Sequence, residues 1–170
     1  MMNEVLARLM WLWNLWPPFV GAGIRLGGIR SDLMGLEVRL KARPWTRNPM
    51  GTQFGGSIFA MTDPFFVGIF RLHLGRDIVV WDKAASIRFK RPSRAELRAV
   101  FEITPSQLDE VREQLNVRDR LDWTTAIEVV DARGTLVAIV DKTIAFRRNR
   151  AVRTVDSAHV GPPYPGGTPK

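Results

Sequence analysis

The chain has 170 residues, 45% of them apolar, and no cysteine. That is enough for one domain with a core of its own, and it excludes disulfides, thiolate metal sites and a cysteine nucleophile. The formal net charge is +8, and the only two histidines, His73 and His159, do not stand at metal-ligand spacing, so no metal or other cofactor is expected.

In chain order, residues 4–16 place Leu6, Leu9, Met10, Trp13 and Trp16 at helical spacing, with Trp11 and Leu12 widening the apolar face. The run is too short to span a bilayer and lacks the pattern of an export signal, which leads to the expectation of a cytoplasmic protein. The expected reading is a packing helix over the core or a ligand mouth. A tryptophan-rich helix lying in a membrane interface is the lesser alternative. Pro17–Pro18 is expected to end the helix.

Residues 35–43 alternate, with Leu36, Val38 and Leu40 facing one way and Glu37, Arg39 and Lys41 the other, as in a half-buried strand. Residues 44–52 form a turn-rich loop. From Gln53 to Leu74 runs the longest apolar segment, apolar on nearly every side, which predicts a central helix wrapped by sheet. Gly75 is its predicted C-cap.

Strands are expected over Ile78–Phe89 and 96–104. Thr104-Pro105-Ser106-Gln107 reads as a capped helix start with Leu108, Val111 and Leu115 as its buried stripe. Strands 124–131 and 136–147 then form a hairpin around Ala132-Arg133-Gly134. One long helix followed by antiparallel strands without repeated crossover helices is an α+β arrangement. The domain is placed at 1–148, with 1–18 as its N-terminal helix and proline turn. Residues 149–170, rich in proline, glycine and arginine, are expected to be a flexible basic tail.

The residues that carry chemistry cluster in 48–63. A glycine pair, Gly55–Gly56, at a helix start leaves backbone amides free to meet a carbonyl oxygen as it gains charge, or it serves close packing. Asp63 follows in an apolar setting of Ala60, Met61, Phe65 and Phe66. Such a carboxylate must find donors or take up a proton. It is a candidate general base or nucleophile, or a structural acid satisfied by Thr62, a tryptophan N–H or a partner amide. Pro64 should break the helix ladder there, freeing the Ala60 carbonyl and bending the axis.

Asn48 could orient water or an acyl carbonyl, or cap a turn; Thr52 or Gln53 could cap the helix or donate to substrate. Ser57 follows the glycines, but GxSxG is absent and neither histidine is placed as its base, so a serine nucleophile is set aside. Arg88 and Lys90 are among the basic residues near the strand ends that could meet phosphates. No base-reading helix or aromatic-basic RNA motif occurs, which argues against nucleic acid as the basic chain's partner.

These residues resemble the hotdog-fold superfamily, in particular its DUF4442 branch, related to the PaaI-type acyl-coenzyme A thioesterases. In the thioesterases the motif is Asn-x-x-Gly-x-x-His-Gly-Gly with an Asp seven residues after the second glycine. Asn48, Gly51, Gly55, Gly56 and Asp63 fall on it in register. The strand ending Ile87-Arg88-Phe89-Lys90-Arg91-Pro92, the segment Asn14-Leu15-Trp16-Pro17-Pro18-Phe19 and the segment Gly21-Ala22-Gly23-Ile24 extend the likeness over roughly 14–148.

The resemblance implies a long central helix wrapped by a curved antiparallel sheet, with an extra N-terminal helix. It implies two chains sharing one continuous sheet, as a homodimer or homotetramer. An acyl-coenzyme A or lipid-like ligand would enter between subunits, past Phe54, Gly55 and Phe59. The Gly56 amide would polarise the thioester carbonyl, Asp63 of the opposite chain would act as base or nucleophile, and Asn48 would place water or substrate. One position departs: Phe54 stands where the thioesterase motif has histidine, so that donor is lost. A non-catalytic binder of fatty acyl or other lipid-like ligands is the alternative function.

Overall fold

The computed structural model describes residues 11–149. Residues 4–10 of the predicted N-terminal helix and the basic tail from 150 onward lie outside them.

Pro17 and Pro18 stand at a junction: the helical turn before them stops at Leu15 with Trp16 extended, and they also open a new helix. After a 3-10 turn at Leu12–Leu15, α1 spans Pro17–Ala22 with proline in its first turn, where the missing N–H costs nothing. Gly23 closes it at φ 78°, and its carbonyl accepts from Lys41 N–H. A methyl group on Gly23 would sit 2.6 Å from Thr46 Cγ2, so both the backbone and the close approach require glycine.

Strand β1, Ile24–Ile29, was not anticipated. It pairs antiparallel with β2, Gly35–Leu40, whose Leu36, Val38 and Leu40 are buried as the alternation predicts. The predicted central helix runs as two joined pieces, α2 at Gly55–Ala60 and α3 at Phe65–Leu74. The break falls at Pro64, as its missing N–H dictates. The Ala60 carbonyl is not left free: it accepts from Asp63 N–H at 3.1 Å. Gly75 caps α3 at φ 79°.

Strand β3 spans Ile78–Phe89 and β4 spans Leu97–Glu102. Helix α4, Pro105–Val117, begins with the predicted capping box: Thr104 Oγ1 accepts from Gln107 N–H and Gln107 Oε1 accepts from Thr104 N–H. Strands β5, Arg120–Asp131, and β6, Leu136–Arg148, form the hairpin. In its turn, Asp131 Oδ1 accepts from the N–H groups of Arg133 and Thr135 while Gly134 takes φ 78°.

The six strands make one antiparallel sheet in the order β1-β2-β4-β5-β6-β3. Aromatic rings fasten α3 to its inner face. Phe65 and Phe66 meet Phe101 of β4, Phe66 and Phe70 meet Trp123 of β5, and Phe70 meets Phe146 of β6, with ring centroids 4.9–5.3 Å apart. This is a hotdog fold: a joined helix wrapped by a curved sheet, with additional N-terminal elements. The wrap is incomplete. Phe54, Phe59 and Leu72 are exposed, so the helical segment is not covered on every side as its composition suggested.

Two features of the sheet position the site. Strand β3 is an edge strand, hydrogen-bonded among the described residues only to β6. It also carries a bulge, where Asp82 pairs with Ile144 and Ala84 with Thr143, leaving Lys83 as an extra residue.

Candidate active site

The loop leading to α2 is held by its own side chains. Asn48 Oδ1 accepts from Met50 N–H and Thr52 N–H, and Asn48 Nδ2 donates to Thr52 Oγ1 at 2.9 Å. Gln53 is buried, and its Nε2 donates to the carbonyls of Ala95 and Leu40. Thr46 Oγ1 accepts from Arg43 N–H, and the Thr46 carbonyl accepts from Phe54 N–H. Asn48, Thr52 and Gln53 therefore build the loop that delivers the glycines, and their side-chain bonds run within the protein.

Phe54 is the N-cap residue of α2 and offers no capping side chain. The N–H groups at a helix start have no intrahelical acceptor, and Gly56 N–H donates to no acceptor among the described residues. The Phe54 ring lies beside it: a Cβ on Gly56 would fall 2.4 Å from Phe54 Cε1. Gly55 is crowded likewise by the ring of Phe89, 3.0 Å from where its Cβ would be. Both the packing use and the free-amide use of the glycine pair are thus present together.

Asp63 is not shielded by phenylalanines inside a helix. It stands in the turn between α2 and α3, with its side chain 65% exposed. Nor does Thr62 satisfy it; that hydroxyl donates to the Phe59 carbonyl at 2.7 Å. Its charged neighbour is Lys142 of β6, Nζ 3.7 Å from Asp63 Oδ1.

Lys142 was not singled out in the sequence, and it is the unusual residue of the site. Its side chain is 4% exposed, and its ammonium lies 2.9 Å from Asp82 Oδ1 of β3. That oxygen is buried, with no donor other than this ammonium among the described residues. Burial pushes the Asp82 carboxyl above its ordinary value; the Lys142 ammonium opposes the rise, and Asp63 adds to it. The signal was in the pattern. Val140, Lys142, Ile144 and Phe146 alternate on β6, as do Ile78, Val80 and Asp82 on β3, so a cation and an acid each sit on an otherwise apolar stripe.

A cavity of about 430 Å³ opens over this group, lined by Gly56, Phe59, Ala60, Asp63, Asp82, Ala85 and Lys142 together with Lys83 and Ala84 of the bulge. Of the anticipated site residues, the fold brings Gly56, Phe59 and Asp63 to it. Asn48, Thr52, Gln53, Phe54 and Gly55 lie in or beside the preceding loop. Arg88 is ion-paired with Asp141, and Lys90 lines a separate surface depression with Arg91, Thr135 and Leu136. No cluster of residues able to hold a metal ion occurs among the described residues.

The family described as Domain of unknown function (DUF4442) matches residues 6–146, most of the chain. The chain belongs to the DUF4442 family. Among curated proteins, none matches its sequence. Solved structures share the fold. A Pseudomonas aeruginosa protein of unknown function superposes with a TM-score of 0.70 at 17% identity, covering 81% of this chain and 91% of that one. A Haemophilus influenzae thioesterase gives 0.61 at 15%, covering 83% and 90%. The E. coli PaaI protein from the phenylacetic acid degradation operon gives 0.57 at 17%, covering 86% and 92%. At these identities the likeness is one of fold, and this DUF4442 chain shares with those proteins its helix wrapped by sheet. No helix among its described residues is long and apolar enough to cross a membrane.

Proposed function

We propose that this DUF4442 protein is a thioesterase-like hydrolase acting on acyl-coenzyme A thioesters. The observation that carries the reading is that Gly56 and Asp63 line one cavity. The Gly56 N–H takes the carbonyl oxygen as it gains negative charge. Asp63 removes a proton from the attacking water, or itself attacks the carbonyl carbon to give an anhydride that water then opens. Either way the C–S bond breaks and the acid is released: in the first route the thiol leaves with the proton that Asp63 took from water, and in the second it leaves as a thiolate that solvent protonates. The solved structures named thioesterase add support at the level of fold.

A second copy of the chain fits this reading. Among the described residues strand β3 is an edge strand beside the cavity, so a homodimer, alone or within a homotetramer, would join two sheets there and bring a second chain against the cavity that holds Gly56 and Asp63. The apolar phenylalanines near the glycines suit an acyl chain. Lys90 and Arg91, at the end of β3, suit the coenzyme's phosphates.

The alternative, a non-catalytic binder of lipid-like ligands, is favoured by one residue. Phe54 brings no donor, and its ring lies against the Gly56 backbone.

Hydrolysis of short, medium, long and aromatic acyl-coenzyme A substrates separates the two. The hydrolase reading expects cleavage of at least one by the wild type, and a loss of about 10²–10⁴-fold in kcat on Asp63→Asn with the fold intact. Absence of turnover across the whole panel, with saturable binding that Asp63→Asn leaves unchanged, would establish the binder instead.

A further inference from the structure

We propose that Lys142 and Asp82 are positioning residues for Asp63: Asp82 anchors the buried Lys142 ammonium in the wall of the cavity, and Lys142 in turn holds the Asp63 carboxylate in place there. The inference deepens the hydrolase reading and rests on it for its kinetic arm.

The geometry is graded. Asp82 to Lys142 is 2.9 Å, and Lys142 to Asp63 is 3.7 Å. The closer contact is at the buried end and the looser one at the exposed end, which fits an anchor below and a working group above. An ammonium has three donors, and among the described residues its ion-pair partners are these two carboxylates, so it can serve both. A charged lysine on the inner face of a sheet is tolerated only where carboxylates surround it; two hydrophobic residues would pack the same space with less desolvation cost. A purely structural role therefore explains its presence poorly.

The other charged groups around Asp63 do not compete. Helix α2 contains none, and the basic residues of α3, Arg71 and His73, stand in its last turn. Lys83 borders the cavity, but its ammonium lies 2.5 Å from Asp122 of β5.

Removal of each positioning residue has an opposite effect. Without Lys142, Asp63 and Asp82 face each other with no cation between them, and like charges favour retention of a proton on the pair. Without the Asp82 carboxylate, the ammonium is left to Asp63 alone, and one like charge is gone from beside it.

The test is the pH profile of kcat/KM for the full chain and for Lys142→Met, Lys142→Arg and Asp82→Asn. The acid limb is expected to move to higher pH by about one unit or more in Lys142→Met, to lower pH in Asp82→Asn, and to stay near wild type in Lys142→Arg. A merely structural role lowers activity at every pH without moving the limb, and that result overturns the proposal.

Carbon-13 NMR of the aspartate carboxyls provides an arm independent of activity. In Lys142→Met, Asp63 and Asp82 should titrate in two coupled steps, the upper displaced toward neutral pH. If they titrate as in wild type while the fold persists, the proposal is wrong whatever the enzyme does. If the coupling appears but no substrate is cleaved, the positioning stands and the hydrolase reading falls. Should Lys142→Met fail to fold, Asp82→Asn keeps the pH-profile arm, and an acid limb that does not move there overturns the proposal.

Discussion

Asp82 shows how burial and pairing act against each other in one side chain. Its carboxyl is raised because desolvation outweighs the neighbouring ammonium. The folded protein therefore holds this proton more tightly than the unfolded chain does. The stability that follows is fully present below the ordinary value of 3.8 and is lost as pH rises through the raised value. Denaturant unfolding at pH 4 and pH 7 should accordingly show a smaller loss of stability on raising the pH in Asp82→Asn than in wild type. At the same scale, the motif from Asn48 to Asp63 was legible because its glycines and acid stand at fixed intervals. The destination of Asp63 was not: whether a carboxylate in an apolar stretch points inward or out depends on where Pro64 turns the chain. Lys142 and Asp82 are far apart in sequence, and only the pairing of β3 with β6 makes them neighbours.

Among elements, those whose ends carry their own signals were the readable ones. Helix α4 was predicted from threonine, proline and glutamine, and both reciprocal hydrogen bonds of its capping box are formed. Thr104→Ala removes the side-chain acceptor for Gln107 N–H and should cost about 1 kcal/mol, seen as a lower midpoint in denaturant or heat without loss of the fold. The hairpin of β5 and β6 was equally plain from its Gly134 turn. Strand β1 was missed because it has six residues and two adjacent glycines, Gly27 and Gly28, interrupt its alternation. The proline pair after Trp16 was read as a stop only, and the turn before it does stop at Leu15; the helix it also opens was missed because proline is compatible with either end of a helix. Here it opens α1, since Trp16 is extended, the two prolines have no N–H to satisfy, and the N–H groups of Phe19 and Val20 donate to the Trp16 carbonyl.

For the whole molecule, the order of strands matters more than their number. Placing β3 after β6 leaves a strand of 12 residues at the rim of the sheet, with Trp81 and Phe89 exposed on it and Phe54 and Phe59 exposed on the adjoining helical segment. A long edge bearing apolar side chains calls for a partner. Light scattering of the full chain should give at least twice the 19.3 kDa chain mass, and amide exchange along β3 should be slower than an edge open to water allows.

The cavity touches β3 at Asp82, Lys83, Ala84 and Ala85, beside the rim itself. On the proposed reading, a strand that joined that rim would become a wall of the chamber, and assembly and chemistry would share a single boundary. A turnover rate per chain that falls on dilution, and returns when the protein is concentrated again, is the behaviour such a boundary requires.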